Sequence, residues 1–245
     1  MNCNRNNCGC ASRGQHIRIN QCTSTSMSGG PCCCRPQQCC QCCRRCCCNH
    51  DSSCQQIDYG CLRRADEDFR MIAPGDHVAV GVSGGKDSLL LLYALALYRR
   101  FSKNPYTLTA VTLTMGLQPF DLGGVRALCE TLDVPYIVRE TEIGKVIFEE
   151  RKEKNPCSLC AKMRRGALVD LCLEVGANKL ALGHHRDDAI ETLFLSMLYE
   201  GRIHTFHPVT HLTRKGITQI RPLVYLPEKH VLHMVKALTP PVVPS

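Results

Sequence analysis

The stretch AVGVSGGKDSLLLL, residues 79–92, decides the fold because it joins a strand, a loop and a helix without a break. Its apolar, β-branched start belongs to a short buried strand predicted over 77–82. A tight loop with two adjacent glycines follows, and a leucine-rich helix is predicted over 87–98. A strand that passes through a glycine-rich turn into a helix is typical of the units that build parallel α/β sheets.

The loop between this strand and helix has the composition of an anion site. We expect Gly84 and Gly85 to supply positive φ values, so that backbone N–H groups can approach an anion closely. The helix N-terminus would point its free amides and the positive end of its dipole the same way. Ser83 and Ser88 add hydroxyl donors, and Lys86 can add a positive charge.

Asp87 is out of place in a loop that binds only an anion. A carboxylate there makes sense if a divalent cation such as Mg²⁺ lies between it and the anion. The loop is not a Walker loop, which needs four residues between its first glycine and GK and a Ser or Thr directly after Lys. An ordinary glycine-rich turn is the alternative, and the run SGGKDS directly after a buried strand disfavours it.

SGGKDS resembles the PP-loop of ATP pyrophosphatases, whose pattern is SGGxDS. The resemblance implies that the loop grips the pyrophosphate part of ATP. It also implies that ATP is split between its α- and β-phosphates, and that AMP is placed on a carbonyl oxygen of the substrate.

The rest of the chain after residue 60 alternates between helical and strand periodicity. This alternation predicts an α/β fold with a doubly wound parallel sheet. The further predicted helices cover 62–72, 123–132, 157–175, 187–199 and 228–238, and the further predicted strands cover 107–115, 135–140, 178–183 and 217–225.

Residues 1–60 have a different composition from residues 61–245. Sixteen of the 20 cysteines lie between Cys3 and Cys61, many of them in CCCRPQQCCQCCRRCCC (32–48), and core-forming apolar residues are almost absent. We interpret 1–60 as a low-complexity tail that is disordered without metal, and 61–245 as the globular domain. A metallothionein-like metal store is the alternative, since closely spaced thiolates suit soft metals.

Charge and hydropathy indicate which kinds of partner and which cellular location the sequence fits. The net charge of +8 suits a polyanionic partner but does not identify one. The sequence has no run of 18 apolar residues that would form a membrane helix. Its first residues, MNCNRNNCGC, lack the apolar core of a signal peptide. We therefore expect a cytoplasmic protein without a membrane segment.

The stretch NPCSLCAKMRRGAL (155–168) places Cys157 and Cys160 one turn apart near a helix N-terminus. That position lowers the pKa of a thiol and suits metal ligation or redox work. Arg164 and Arg165 follow a turn later and can address phosphate or RNA. A lone CxxC is ambiguous, because a zinc site would need a second pair of ligands. Two buried structural thiols are the alternative.

The stretch ALGHHRDDAIETLF (181–194) ends a strand and opens a helix. Ligands of doubly wound sheets bind beyond the carboxyl ends of the strands, so this loop and SGGKDS are predicted to face one crevice. We expect Asp187, Asp188 and Glu191 to serve the Mg²⁺ of bound ATP. A separate metal site built from the two histidines and two aspartates is one alternative, and a helix-capping role for Asp187 is another.

Together with ERKEKNPCSLCAKMRRGAL (150–168), LGHHRDDAIETL (182–193) and IRPLVYLPEKH (220–230), the loop resembles the TtcA family of tRNA 2-thiocytidine synthetases over about 62–245. The resemblance implies an ATP-dependent tRNA thiolase, with ATP, Mg²⁺ and a [4Fe–4S] cluster as cofactors. Such an enzyme adenylates a cytidine carbonyl in the anticodon loop and replaces its oxygen with sulfur. The implied partners are tRNA, a sulfur donor such as a cysteine desulfurase, and a second copy in a homodimer.

The resemblance also implies roles for individual residues. Asp87, Cys157, Cys160 and Asp188 would be catalytic, and the two cysteines would hold the cluster. The nucleotide and its metal would be bound by Ser83, Gly84, Gly85, Lys86, Asp87, Ser88, Arg164, Gly183 and Asp188.

Two departures from the family pattern concern the third cluster cysteine. Some members carry it in the motif IRPLxYC, where this chain has Leu226. Others carry it in a later Cys-Pro segment, and this chain stops at PPVVPS (240–245), so the sequence predicts a truncated protein. A lysidine synthetase-like or amide-forming PP-loop enzyme is an alternative that the CxxC disfavours. A thiol-rich metal-binding protein with a degenerate core is another, and the intact SGGKDS disfavours it.

Overall fold

The computed structural model describes residues 59–116, 121–147 and 156–238. The predicted disorder of the cysteine-rich tail therefore falls outside the described residues, apart from Tyr59 and Gly60. Those two residues begin the first helix, so the regular structure starts slightly before the predicted domain boundary at residue 61.

Strands and helices alternate along the chain much as the periodicity predicts. Ser196–Glu200 forms a π-helical segment that continues the sixth helix. The helices are α1 (Tyr59–Phe69), α2 (Lys86–Tyr98), α3 (Gly123–Thr131), α4 (Ile143–Lys145), α5 (Pro156–Glu174), α6 (Arg186–Leu195) and α7 (Glu228–Leu238), and the strands are β1 (His77–Gly81), β2 (Thr107–Thr114), β3 (Tyr136–Glu140), β4 (Lys179–Ala181), β5 (Val209–Leu212) and β6 (Ile217–Ile220).

The strands form one sheet in the order β3-β2-β1-β4-β6-β5. All neighbouring pairs are parallel except β5 and β6, which are antiparallel. The prediction of a doubly wound, largely parallel α/β sheet is confirmed, but the antiparallel edge strand β5 was missed. Its four residues, VTHL, follow Pro208 and carry little apolar alternation. The turn that joins it to β6 closes at Gly216, which has a φ of 68°.

Strand β1 divides the core into two layers because its successive side chains point to opposite faces of the sheet. Val78 and Val80 pack in the cluster that contains α1, α2, α3 and α7. Ala79 packs on the other face, with Val169 and Cys172 of α5. The sheet therefore has helices on both faces, which brings the ends of α2, α5 and α6 toward the same edge.

Helix α2 is buried along nearly its whole length, which explains why its sequence is apolar all round. Leu89, Leu90, Leu91 and Leu92 are each at most 1% exposed. Within the described ranges, we find no helix with the length and hydropathy needed to span a bilayer.

Candidate functional site

A cleft of about 520 Å³ opens beyond the carboxyl ends of β1 and β4. Three segments that are distant in sequence line it: the SGGKDS loop, the middle of α5 and the GHHRDD loop. The structure thus brings these motifs to one crevice, as the sheet topology predicts. The polar lining consists of Ser83, Gly85, Asp87, Ser88, Arg164, Arg165, Gly183, His184, Asp188 and Gln219.

The phosphate loop is held by the hydroxyl of Ser88. This oxygen accepts a hydrogen bond from the Ser83 N–H (3.1 Å) and donates one to the Gly85 carbonyl (2.9 Å). Gly84 has a φ of 83°, as expected. Gly85 has a φ of −74°, so the expectation of positive φ at both glycines is wrong for Gly85. Only Gly84 needs the left-handed conformation that glycine adopts without strain.

The side chain of Lys86 is turned toward carboxylates and does not line the cleft. Its ammonium donates to both carboxylate oxygens of Asp87, at 2.9 and 3.1 Å, and lies 3.3 Å from Glu228. Burial acts to lower the pKa of Lys86, but the two carboxylates outweigh it and raise the pKa overall. The predicted role of Lys86 as a nucleotide ligand stays a prediction, whereas Asp87 does line the cleft.

Gly183 brings the GHHRDD loop directly against the phosphate loop. A Cβ atom at this position would lie 3.0 Å from the backbone C and O atoms of Asp87 and 3.1 Å from the Ser88 nitrogen. Because these neighbours are backbone atoms, they can yield only if the loop shifts. Close packing of the two loops is therefore the structural reason for a glycine at 183.

The two aspartates of GHHRDD have different positions. Asp188 lines the cleft, and its Oδ2 accepts a hydrogen bond from the His185 N–H (2.7 Å) at the start of α6. Asp187 accepts one from the Glu228 N–H (2.7 Å) at the start of α7. Asp187 is thus a helix cap, although it caps α7 and not its own helix. Glu191 is exposed and is not among the residues that line the cleft.

A metal site built from side chains of the GHHRDD loop itself is not formed. Nowhere in the part of the chain that the structure describes do three His, Cys, Asp or Glu side chains group closely enough to hold an ion. The carboxylates of Asp87 and Asp188 remain available for a cation that is bound mainly by the phosphates of a nucleotide.

A cluster that was not predicted from the sequence lies beside the cleft. It consists of His184, Phe206 and Arg221. The His184 ring lies 5.2 Å from the Phe206 ring, and the Arg221 guanidinium lies 4.8 Å from the centre of that ring. Burial first, and then Arg221, lowers the pKa of His184 and so favours its neutral form. Burial and Arg165 lower the pKa of Arg221 to about 10, which leaves it charged. The sequence feature that could have indicated this cluster was the pair of adjacent histidines in GHH.

The CxxC pair lies at the first turn of α5, where Cys157 is exposed and Cys160 is half-buried. Later turns of the same helix contribute Ala161 and Arg164 to the cleft. The two thiols fit as two adjacent thiolate ligands of an iron–sulfur cluster, one turn before the residues of α5 that line the cleft.

A third cysteine ligand for such a cluster is absent from the described residues. Leu226, which stands at one family position, is only 3% exposed and belongs to the core. Cys129 and Cys172 are also buried, and burial raises the pKa of the first to about 11 and of the second to about 12. These two thiols pack in the core and are structural.

Comparison with known proteins agrees with this geometry. The PP-loop domain family matches residues 61–239. The tRNA-cytidine(32) 2-sulfurtransferase of Geobacter metallireducens is 38% identical over 181 residues, which cover 74% of this chain and 70% of the relative. This chain belongs to the TtcA family of PP-loop proteins. The tRNA-cytidine(32) 2-sulfurtransferase of Teredinibacter turnerae is likewise 38% identical, over 182 residues that cover 74% of this chain and 60% of the relative.

One solved structure is similar to this TtcA-family chain. The U34-tRNA thiolase NcsA from Methanococcus maripaludis, described with its [4Fe–4S] cluster, superimposes with a TM-score of 0.61 at 26% sequence identity. The match covers 76% of this chain and 65% of NcsA. The chain thus spans about two thirds of the length of the relatives it matches.

Proposed function

We propose that this chain acts in ATP-dependent tRNA thiolation, in which a cytidine carbonyl of the anticodon loop is adenylated and its oxygen is replaced by sulfur. One observation carries the proposal: the phosphate loop, the GHHRDD loop and the helix that begins with the CxxC pair meet at a single cleft. A site for ATP and a site for sulfur would then serve one substrate atom.

The first half of the reaction uses the phosphate side of the cleft. The pyrophosphate of ATP would lie on the loop and at the N-termini of α2 and α6, where free amides and the helix dipoles favour an anion. Ser83 would donate its hydroxyl, and Arg164 would contact the nucleotide from α5. Asp87 and Asp188, which line the same cleft, would hold the Mg²⁺ of the nucleotide, and this cation would offset the negative charge of the phosphates.

The adenylation step links the base to AMP. The carbonyl oxygen of the cytidine attacks the α-phosphorus, the bond from this phosphorus to the oxygen of the β-phosphate breaks, and pyrophosphate leaves. Sulfide, released from the persulfide of the sulfur donor by a two-electron thiol reductant, then adds to the activated carbon, and AMP leaves with the former carbonyl oxygen. The protein contributes mainly by holding both partners in position and by stabilising charge on the phosphates.

The sulfur step belongs to the rim of the cleft near Cys157 and Cys160. A cluster held in part by these thiolates would supply an iron that can carry sulfide. The proposal includes a sulfur donor of the cysteine desulfurase class, because thiolation consumes one sulfur atom per base. A homodimer and a cytoplasmic location complete it.

Separate variants test the two halves. Asp87→Asn is expected to abolish Mg²⁺-dependent release of pyrophosphate in the presence of tRNA. Cys157→Ala and Cys160→Ala are expected to keep pyrophosphate release but to lose the visible absorption of an anaerobically reconstituted cluster, together with formation of 2-thiocytidine. Cys172→Ala, which removes a buried thiol of the same helix, is the control and should keep both.

Mass spectrometry of the tRNA nucleosides distinguishes thiolation from the second candidate, a lysidine-type or amide-forming reaction. That alternative would release pyrophosphate without adding sulfur to the base. Thiolation that persists in both CxxC variants would contradict the role given to the cysteines. Full pyrophosphate release by Asp87→Asn would contradict the metal role of Asp87.

A further inference from the structure

A second concave surface lies beside the cleft, between α5 and the hairpin of β5 and β6. It encloses about 810 Å³. One wall is the outer side of α5, and the other is the turn that follows β5. We call this surface the α5–hairpin groove. Its charged lining residues are Lys162 and Arg165 on α5 and Arg214 and Lys215 on the hairpin turn.

The positive charge of the groove is largely uncompensated. In the described part of the chain, no acidic side chain lines it. Lys215 has a carboxylate partner, Asp170, at 2.7 Å. Among the residues that the structure describes, Lys162, Arg165 and Arg214 form no ion pair with a carboxylate, and all three are exposed. Three such cations around one concave surface favour a ligand with several negative charges.

The groove is continuous with the nucleotide cleft. Ala161 and Arg165 line both surfaces, since they lie on the strip of α5 that separates them. An extended anionic ligand in the groove would therefore lead directly into the cleft where the chemistry is proposed to occur.

The lining of the groove also indicates how a ligand would be recognised. Within the described ranges, it contains no Phe, Tyr or Trp on which bases could stack or which could anchor a protein partner. Gly166 leaves the helix surface open, with no neighbouring atom within 4 Å of the position of a Cβ. Recognition through the repeated charges of a phosphate backbone fits this lining better than recognition of bases or of an apolar protein surface.

We propose that the α5–hairpin groove binds the phosphate backbone of the substrate RNA next to the nucleotide that enters the cleft. This inference rests on the proposed function in tRNA thiolation. It adds a surface and a mode of contact, through charge and independent of base sequence.

The test reverses charge at two groove residues that do not line the nucleotide cleft. The double variant Lys162→Glu and Arg214→Glu is compared with Arg63→Glu and Lys229→Glu, a double variant of the same net charge on α1 and α7, which pack on the opposite face of the sheet. Binding of unmodified tRNA is measured by fluorescence anisotropy at several salt concentrations. Binding of ATP without tRNA is measured alongside as a check on folding and on the cleft.

The groove variant is expected to bind tRNA at least about tenfold more weakly at low salt. Its slope of log K against log salt should be smaller by about two, since each lost phosphate contact removes about one unit. ATP binding should be unchanged in both variants, and the control variant should stay close to the unsubstituted protein in tRNA binding.

Three outcomes would overturn the proposal. If the groove variant keeps the affinity and salt slope of the unsubstituted protein, RNA does not use the groove, and an acidic protein becomes the candidate occupant. If both double variants weaken tRNA binding equally, the net charge of the protein, and not the groove, determines the affinity. If the unsubstituted protein binds no tRNA, the proposed function itself fails. Normal tRNA binding and thiolation by the groove variant would reject the groove as an RNA site and leave the proposed function intact.

Discussion

Gly183 and the backbone of Asp87 and Ser88 are in contact at the closest point between the two loops of the cleft. A single methyl group added at 183 would lie within 3.1 Å of three backbone atoms. The phosphate loop holds its shape through short-range bonds of Ser88, so it can move away only by giving up that arrangement. The geometry of the anion site therefore depends on a residue without a side chain.

Gly183→Ala is expected to weaken ATP binding at least about tenfold and to lower the free energy of unfolding by about 1–3 kcal/mol, as overpacking does elsewhere. Gly166→Ala is the matched control. It places the same methyl group in open space on α5 and should stabilise the helix by up to about 1 kcal/mol without changing ATP affinity. Calorimetric titration with ATP and urea denaturation measure the two effects, and equal ATP affinities in the two variants would count against the close packing described.

His184 gives the protein a pH dependence with a definite sign. Its pKa is lowered in the folded state, mainly by burial, so below about pH 6.5 the unfolded chain binds a proton that the folded chain does not. Stability from this residue is present above that pH and is lost as the pH falls toward the folded pKa. Thermal unfolding between pH 7.5 and 5.5 should show a smaller loss for His184→Gln than for the unsubstituted protein. His233→Gln, which changes an exposed histidine of α7, should follow the unsubstituted protein.

At the scale of elements, α6 and α7 begin side by side, and hydrogen bonds join their N-terminal ends. The Arg186 N–H donates to the Leu226 carbonyl (3.0 Å), and Asp187 accepts from the Glu228 N–H (2.7 Å). Glu228 in turn lies close to Lys86 at the start of α2. The N-termini of three helices are thus linked through side chains around one edge of the sheet.

Asp187→Ala removes the cap of α7 and is expected to lower the free energy of unfolding by about 1 kcal/mol. Glu191→Ala changes an exposed acidic residue on α6, and its effect should be much smaller. Urea unfolding curves of both variants measure the difference. Equal stabilities would mean that the bond to Glu228 adds nothing to the folded state.

Local sequence patterns predicted the elements whose cause is local. The apolar run of β1, the leucine-rich α2 and the glycine turn between them were confirmed, because strand period, helix period and loop chemistry all agree there. The short strand β5 was missed, since four residues carry too little alternation to stand out. The partner of Asp187 was missed because it lies 41 residues away in sequence. Burial of His184 against Phe206 likewise depends on tertiary packing.

At the scale of the whole molecule, the family match begins after most of the cysteine-rich tail. The PP-loop family match begins at residue 61, and α1 buries Leu62 and Ala65 in the main core. Deletion of residues 1–58 is therefore expected to leave the thermal stability and the ATP affinity of the protein unchanged. Differential scanning calorimetry and ATP titration test this. Loss of soluble protein would show that the tail supports the fold.

From the sequence separation of β1 and β4 we expect their pairing to form late in folding. Val78 pairs with Lys179, and the His77 N–H donates to Asn178, 101 residues later in the chain. Contacts between residues so far apart in sequence tend to form slowly, and a ribosome makes β1 well before the residues of β4 exist. The contact of Gly183 with Asp87 can form only after this late pairing. ATP should then bind after the rate-limiting step, which means that it slows unfolding of the finished protein and leaves the refolding rate unchanged.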